Sequence, residues 1–188
     1  VTTPLSGLRV GFIATHPSRN DLAYFTSPEG IHQFDFSTLI PTKIGSASSL
    51  APLAISPNGQ FILAAGYKGT NIDTSPRVVY RLDVTSNVFN LENFFTITFD
   101  SLGLAISEDN SYAYISSLYE GSIYKLDLAT KSMRALSLPR SLGGPTGIAL
   151  VDGSFLLITE YLGSGISRLN LATGELTLLT TVSQANGI

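Results

Sequence analysis

Short apolar runs recur along this chain, separated by clusters of Asn, Asp, Gly, Pro and Ser. Leu53-Ala54-Ile55-Ser56 is followed by Pro57-Asn58-Gly59, and Leu104-Ala105-Ile106-Ser107 by Glu108-Asp109-Asn110. Ile148-Ala149-Leu150 is followed by Val151-Asp152-Gly153, and Gly11-Phe12-Ile13-Ala14 by Pro17-Ser18-Arg19-Asn20. Such runs are strand length, and Asn, Asp and Gly suit the tight hairpins between them. A second set follows at Leu22 to Thr26, Phe61 to Ala65, Tyr112 to Ser116 and Phe155 to Thr159. Several of these are apolar on both faces, as in a sheet packed between two others. No segment carries a helical period of useful length. The chain reads as all-β.

A third set of strands carries a repeated motif. Tyr124-Lys125-Leu126-Asp127-Leu128-Ala129-Thr130 recurs as Arg168-Leu169-Asn170-Leu171-Ala172-Thr173, and more loosely as Arg81-Leu82-Asp83-Val84-Thr85 and Gln33-Phe34-Asp35-Phe36-Ser37. The fourth strands are expected at Pro41 to Ile44, Val88 to Leu91, Met133 to Leu136 and Leu176 to Leu179. The motif residues 35, 83, 127 and 170 are 48, 44 and 43 positions apart. Four-stranded sheets at that period describe the antiparallel blades of a β-propeller. The repeats fall at about 8–47, 48–100, 101–143 and 144–183, in one propeller segment spanning 1–188. Residues 184–188 look like the start of a further repeat, so about four blades are expected here as part of a larger, six-bladed ring. The Asp or Asn should cap the turn into the fourth strand, and Ala54, Ala105 and Ala149 should lie on the innermost strands.

The run Pro145-Thr146-Gly147-Ile148 to Glu160 resembles NHL-type propeller repeats. It is also similar to strictosidine-synthase-like and gluconolactonase-like six-bladed proteins, and Ser101 to Thr130 fits the same pattern. The resemblance implies the fold. Its families include lactonases, condensing enzymes, structural proteins and peptide-binding modules, so it does not choose an activity.

Composition narrows the partners. Of 188 residues 44% are apolar and 13% charged, with net charge −3. A nucleic-acid partner would want clustered Lys and Arg, and no apolar run approaches the ~20 residues that span a bilayer. There is no cysteine, which removes disulfides and thiolate metal sites, and no Asn heads a glycosylation sequon.

With the four strands of each blade called A to D in chain order, the B–C and D–A connections leave on one side. The B–C loops repeat Tyr67-Lys68-Gly69, Tyr119-Glu120-Gly121 and Tyr161-Leu162-Gly163, with Pro28-Glu29-Gly30 in the first blade. Each Tyr offers a flat apolar body with a polar tip, able to grip a peptide or sugar or to cover the edge of a neighbouring blade. Tyr67, Lys68, Tyr119, Glu120 and Tyr161 are therefore the candidate binding residues, and the longest such loop, Gly66 to Pro76, is an adjustable surface. Gluconolactonase-like enzymes hold calcium with carboxylate and amide oxygens. Glu160 and Asn186 stand at plausible depths for that, or are solvated loop residues; the positions matching Glu160 are Gly66, Ser117 and Ser27. His16 and His32 have no acid partner at a telling spacing. Asp73 with Asp100 or Asp109 could pair as acid and base, though no spacing singles them out. The reading is a non-enzymatic, extracellular or cell-surface scaffold that needs no cofactor. It would bind a protein, a glycan, or further blades or copies of itself. The alternative is a calcium-dependent lactone hydrolase or related propeller enzyme with part of its site outside this chain.

Overall fold

Each apolar run forms a strand, and four consecutive strands form each sheet. In the computed structural model, which describes residues 9–47, 52–69, 75–86, 88–163 and 165–181, the first sheet contains β1 (Ile13–Thr15), β2 (Leu22–Ser27), β3 (Gly30–Asp35) and β4 (Ile40–Gly45). The second contains β5 (Leu53–Ile55), β6 (Phe61–Tyr67), β7 (Arg77–Asp83) and β8 (Leu91–Ile97). The third contains β9 (Leu104–Ile106), β10 (Tyr112–Ser117), β11 (Ser122–Asp127) and β12 (Met133–Ala135). The fourth contains β13 (Pro145–Val151), β14 (Phe155–Glu160), β15 (Gly165–Asn170) and β16 (Leu176–Thr181). Within every sheet neighbours in sequence are antiparallel neighbours in space, and no helix occurs among the described residues. This is a propeller-like set of blades.

The chain divides into two compact units, Val1–Thr98 and Phe99–Ile188, with two blades each. In the first, Tyr24 and Ile31 of one sheet share an apolar core with Ile62, Ala64 and Leu82 of the other. In the second, Tyr114 and Ile123 share a core with Ile158 and Leu169. The first strands approach one another in each unit, β1 beside β5 and β9 beside β13. Ala54, Ala105 and Ala149 lie on such strands. The approach is tight at Gly103, where a Cβ would run into the Thr146 carbonyl; the Ser116 hydroxyl donates to that same oxygen at 3.0 Å.

The four motif residues close equivalent C-to-D turns, each with one side-chain oxygen. Asp35 Oδ1 accepts from the Ser37 amide at 2.7 Å, and Asp83 Oδ1 from the Thr85 amide at 2.8 Å. Asp127 Oδ1 accepts from Ala129 and Thr130 at 3.0 and 2.8 Å, and Asn170 Oδ1 from Ala172 and Thr173 at 2.9 and 3.1 Å. A single acceptor oxygen suffices, and that is why an amide can replace a carboxylate. The hydrogen bonds hold the three aspartates below their ordinary pKa, with the side-chain bond from Ser37 or Thr85 dominant at Asp35 and Asp83 and the Thr130 amide at Asp127.

The fourth strand of the second sheet differs from expectation. It runs Leu91–Ile97 rather than Val88 to Leu91, and Val88 is 79% exposed. Its partner β7 is long, pairing from Arg77↔Ile97 to Leu82↔Leu91. Phe94 and Ile97 supply the buried side chains of this strand.

Candidate functional site

The B–C turns are held by a polar residue three positions before each motif residue. His32, Tyr80, Tyr124 and Ser167 occupy that position in β3, β7, β11 and β15. Each reaches back toward the end of the preceding strand. His32 Nε2 lies 2.9 Å from Ser27 Oγ, and the Tyr80 hydroxyl donates to the Tyr67 carbonyl at 2.9 Å. The Tyr124 hydroxyl donates to Glu120 Oε2 at 2.8 Å, and the Ser117 hydroxyl donates to the same oxygen at 3.0 Å. Ser167 Oγ donates to Glu160 Oε1. The residue types differ, so the shared position has no common letter in the sequence. The constant offset from the Asp or Asn was the signal available.

Glu160 is not a solvated loop residue. It is 2% exposed at the end of β14. Arg140, from the connection into β13, clamps it with Nη1 to Oε2 at 2.8 Å and Nη2 to Oε1 at 2.7 Å. The Gly143 amide donates to Oε2 at 2.7 Å. Burial alone would raise this carboxyl's pKa. Arg140, Ser167 and the Gly143 amide outweigh it and bring the value down to about 2. A cation here would have to displace the guanidinium, so the donor set does not fit calcium. Asn186, the other expected ligand, lies outside the described residues, as does Asp73. Among the described residues no three His, Asp or Glu side chains gather as a metal set.

The three tyrosines of the B–C turns have different surroundings. Tyr67 ends β6 partly buried, with the Arg77 guanidinium 5.3 Å from its ring centre. Tyr119 is 80% exposed at the tip of the β10–β11 turn, while its neighbour Glu120 points back into the hydrogen bonds with Ser117 and Tyr124. Tyr161 is 38% exposed. Its amide donates to the Gly144 carbonyl at 3.0 Å and that of Leu162 to Gly143 at 2.8 Å, which fastens the β14–β15 turn to the lead-in of β13. Leu118 and Leu162 both border Gly144, so the turns bearing Tyr119 and Tyr161 meet at one end of the second unit. Leu162 is itself exposed there. In the first unit, Lys68 is exposed and lines an open groove of about 550 Å³ with Glu29, Lys43, Tyr80, Leu91 and Asn93.

His32 is buried and stacks on Phe25, ring centres 4.9 Å apart. Burial is the main cause that holds its pKa below the ordinary value. His16 packs beside Gly59, and its Nδ1 accepts from the Ser18 amide at 3.2 Å. Among the described residues neither imidazole hydrogen-bonds a carboxylate.

No protein-family model matches the chain, and no curated protein matches it. Solved structures do. An auxiliary nutrient binding protein from Bacteroides thetaiotaomicron superposes with TM-score 0.71 at 14% identity, over 94% of this chain and 43% of that one. A functionally unknown protein from Desulfotomaculum acetoxidans gives 0.66 at 20%, over 96% and 58%. A second Bacteroides thetaiotaomicron protein of unknown function gives 0.68 at 15%, over 90% and 42%. The chain spans about half the length of these structures, and at such identities the likeness is one of fold.

Proposed function

We propose that this chain is a binding module of a propeller protein, exported or at the cell surface, that engages its partner through B–C turns without performing catalysis. The observation that carries the reading is Tyr119. A large aromatic stands 80% exposed on a turn whose base is fixed from behind by Glu120, Ser117 and Tyr124. Holding an aromatic out to solvent on a rigid mount lowers the entropy lost when it is covered, which is how interface anchors gain affinity. Leu162, 70% exposed, and Tyr161 lie on the neighbouring B–C turn. A protein or a glycan suits that surface, and the nutrient-binding description of one fold neighbour is in keeping with a ligand-holding role. NHL-type and six-bladed relatives remain the family proposal. The further blades of a larger ring belong to the same proposal, supported by the extra length of the matched structures.

The test is a screen of immobilised glycans and peptides with the wild type and with Tyr119→Ser plus Tyr161→Ser. The double variant should lose its captured partner by at least about tenfold while melting within a few degrees of the wild type, since exposed substitutions typically change stability by about 0.5 kcal/mol or less. Equal binding by both proteins would overturn the reading. The calcium-dependent enzyme makes another demand: a melting temperature that rises with millimolar calcium by mass action. The module reading expects no rise.

A further inference from the structure

We infer that the groove of the first unit binds a carboxylate-bearing saccharide, a chain of uronate type, through Lys43 and Lys68. The inference rests on the module reading above and names a ligand class at a site separate from Tyr119. Its basis is how this chain spends its few cations. It holds 11 Lys and Arg in all. Arg19 pairs with Asp21, and Arg140 with Glu160. Arg77, Arg81, Lys125 and Arg168 lie over the rings of Tyr67, Phe61, Tyr112 and Phe155. Lys131 has an interaction of its own, and Arg9 and Arg134 are exposed with no ion pair among the described residues. Lys43 and Lys68 differ in sharing one groove. They come from different blades, β4 and the turn after β6, and both line one open groove. Both are exposed, and neither ammonium has an ion-pair partner among the described residues. Each is positioned by its backbone: Lys43 by the ladder to His32, Lys68 by its amide, which donates to the Pro76 carbonyl at 2.9 Å.

The rest of the lining selects within anionic ligands. The groove's volume falls among small-ligand sites. Leu91 gives an apolar wall for a sugar-ring face, Asn93 both donates and accepts, and the Glu29 carboxylate can only accept when ionised. Hydroxyl groups satisfy Glu29. An acidic peptide offers Glu29 no hydroxyl side chain to accept from, and a polyphosphate backbone would meet too few cations. A sugar acid offers both halves: a carboxylate for the lysines and hydroxyls for Glu29 and Asn93.

The experiment is calorimetric titration of the full chain with trigalacturonate and with its methyl ester, at about 0.02 M and about 0.3 M salt. The free acid should bind at least about tenfold tighter than the ester at low salt, the factor a charge-assisted hydrogen bond supplies, and should weaken at high salt. Lys43→Gln and Lys68→Gln should each cost about tenfold without changing the melting temperature. Equal binding of acid and ester, no binding of either, or no effect of the lysine variants would overturn the inference. Hexaglutamate binding as tightly as trigalacturonate would also overturn it, in favour of an acidic peptide. Tyr119→Ser and Tyr161→Ser lie in the other unit and should leave the titration unchanged. A failed titration beside a successful tyrosine screen therefore removes the groove and leaves the module.

Discussion

Glu160 is the residue where burial and charge meet most sharply. Its carboxylate is enclosed, yet Arg140 is 46% exposed along its side chain, so solvent screens part of the attraction. The depressed pKa sets an upper bound near ~3 kcal/mol, which that screening reduces to about 2 kcal/mol. Because the folded value lies below the ordinary 4.5, this contribution is complete above pH 4.5 and is lost as pH falls toward 2. Glu160→Gln should lower stability by about 2 kcal/mol at neutral pH. It should also flatten the acid limb of a urea-denaturation series between pH 4.5 and 2. An unchanged midpoint in that series would show that the Arg140 clamp contributes nothing net.

Among the elements, the C-to-D turn is repeated most faithfully, and its cost is visible too. In the turns of the first, third and fourth blades the residue four positions after the Asp or Asn adopts positive φ: Leu39 at 58°, Lys131 at 54° and Gly174 at 74°. For a side chain with a Cβ that conformation costs about 1 kcal/mol. Leu39 is 52% exposed, so Leu39→Gly should raise stability by up to ~1 kcal/mol, read from the thermal midpoint. Asn170→Asp should be nearly silent because only Oδ1 is used, whereas Asp127→Ala should cost about 1 kcal/mol for two unpaired turn amides. A second repeated device joins strands B and C. Arg81 lies 4.0 Å from the Phe61 ring centre, Lys125 3.5 Å from Tyr112 and Arg168 5.0 Å from Phe155. The first blade has Gln33 and Leu22 at these positions, having neither partner. A double-mutant cycle on Lys125 and Tyr112 should return a coupling of about 0.5–1 kcal/mol.

For the whole molecule, the groups with lowered pKa predict the shape of its acid response. His32 is held below 6.5 by burial, so the unfolded chain binds the extra proton first. Stability should therefore be level above pH 6.5 and decline as pH falls below it. A steeper decline should follow below pH 4.5 as Glu160, Asp35, Asp83 and Asp127 begin to titrate in the unfolded chain. Thermal midpoints across pH 8 to 3 check this, and His32→Gln should remove the first decline only. A single acid transition in the wild type would mean that His32 is protonated in the folded state.

The strands, their order and the capped turns were legible because they are local. Alternating turn chemistry marks the hairpins, and the motif Asp or Asn bonds amides two or three residues on, so both lie inside one stretch of sequence. The D strand of the second blade was misplaced because its register depends on the length of β7, a partner that local pattern does not measure. Glu160 was misread for the same reason: Arg140 is 20 positions away, in a connection with no periodic signal, and only folding brings the guanidinium to it. The tyrosines shared a sequence pattern but not an environment. Tyr67 lies beside Arg77, while Tyr119 stands in solvent, and exposure is a property of neighbours. The groove between Lys43 and Lys68 exists only where two blades pack. The sequence determined the repeat and its turns through short-range hydrogen bonding; tertiary packing decided which polar side chains are enclosed and which are left free to bind.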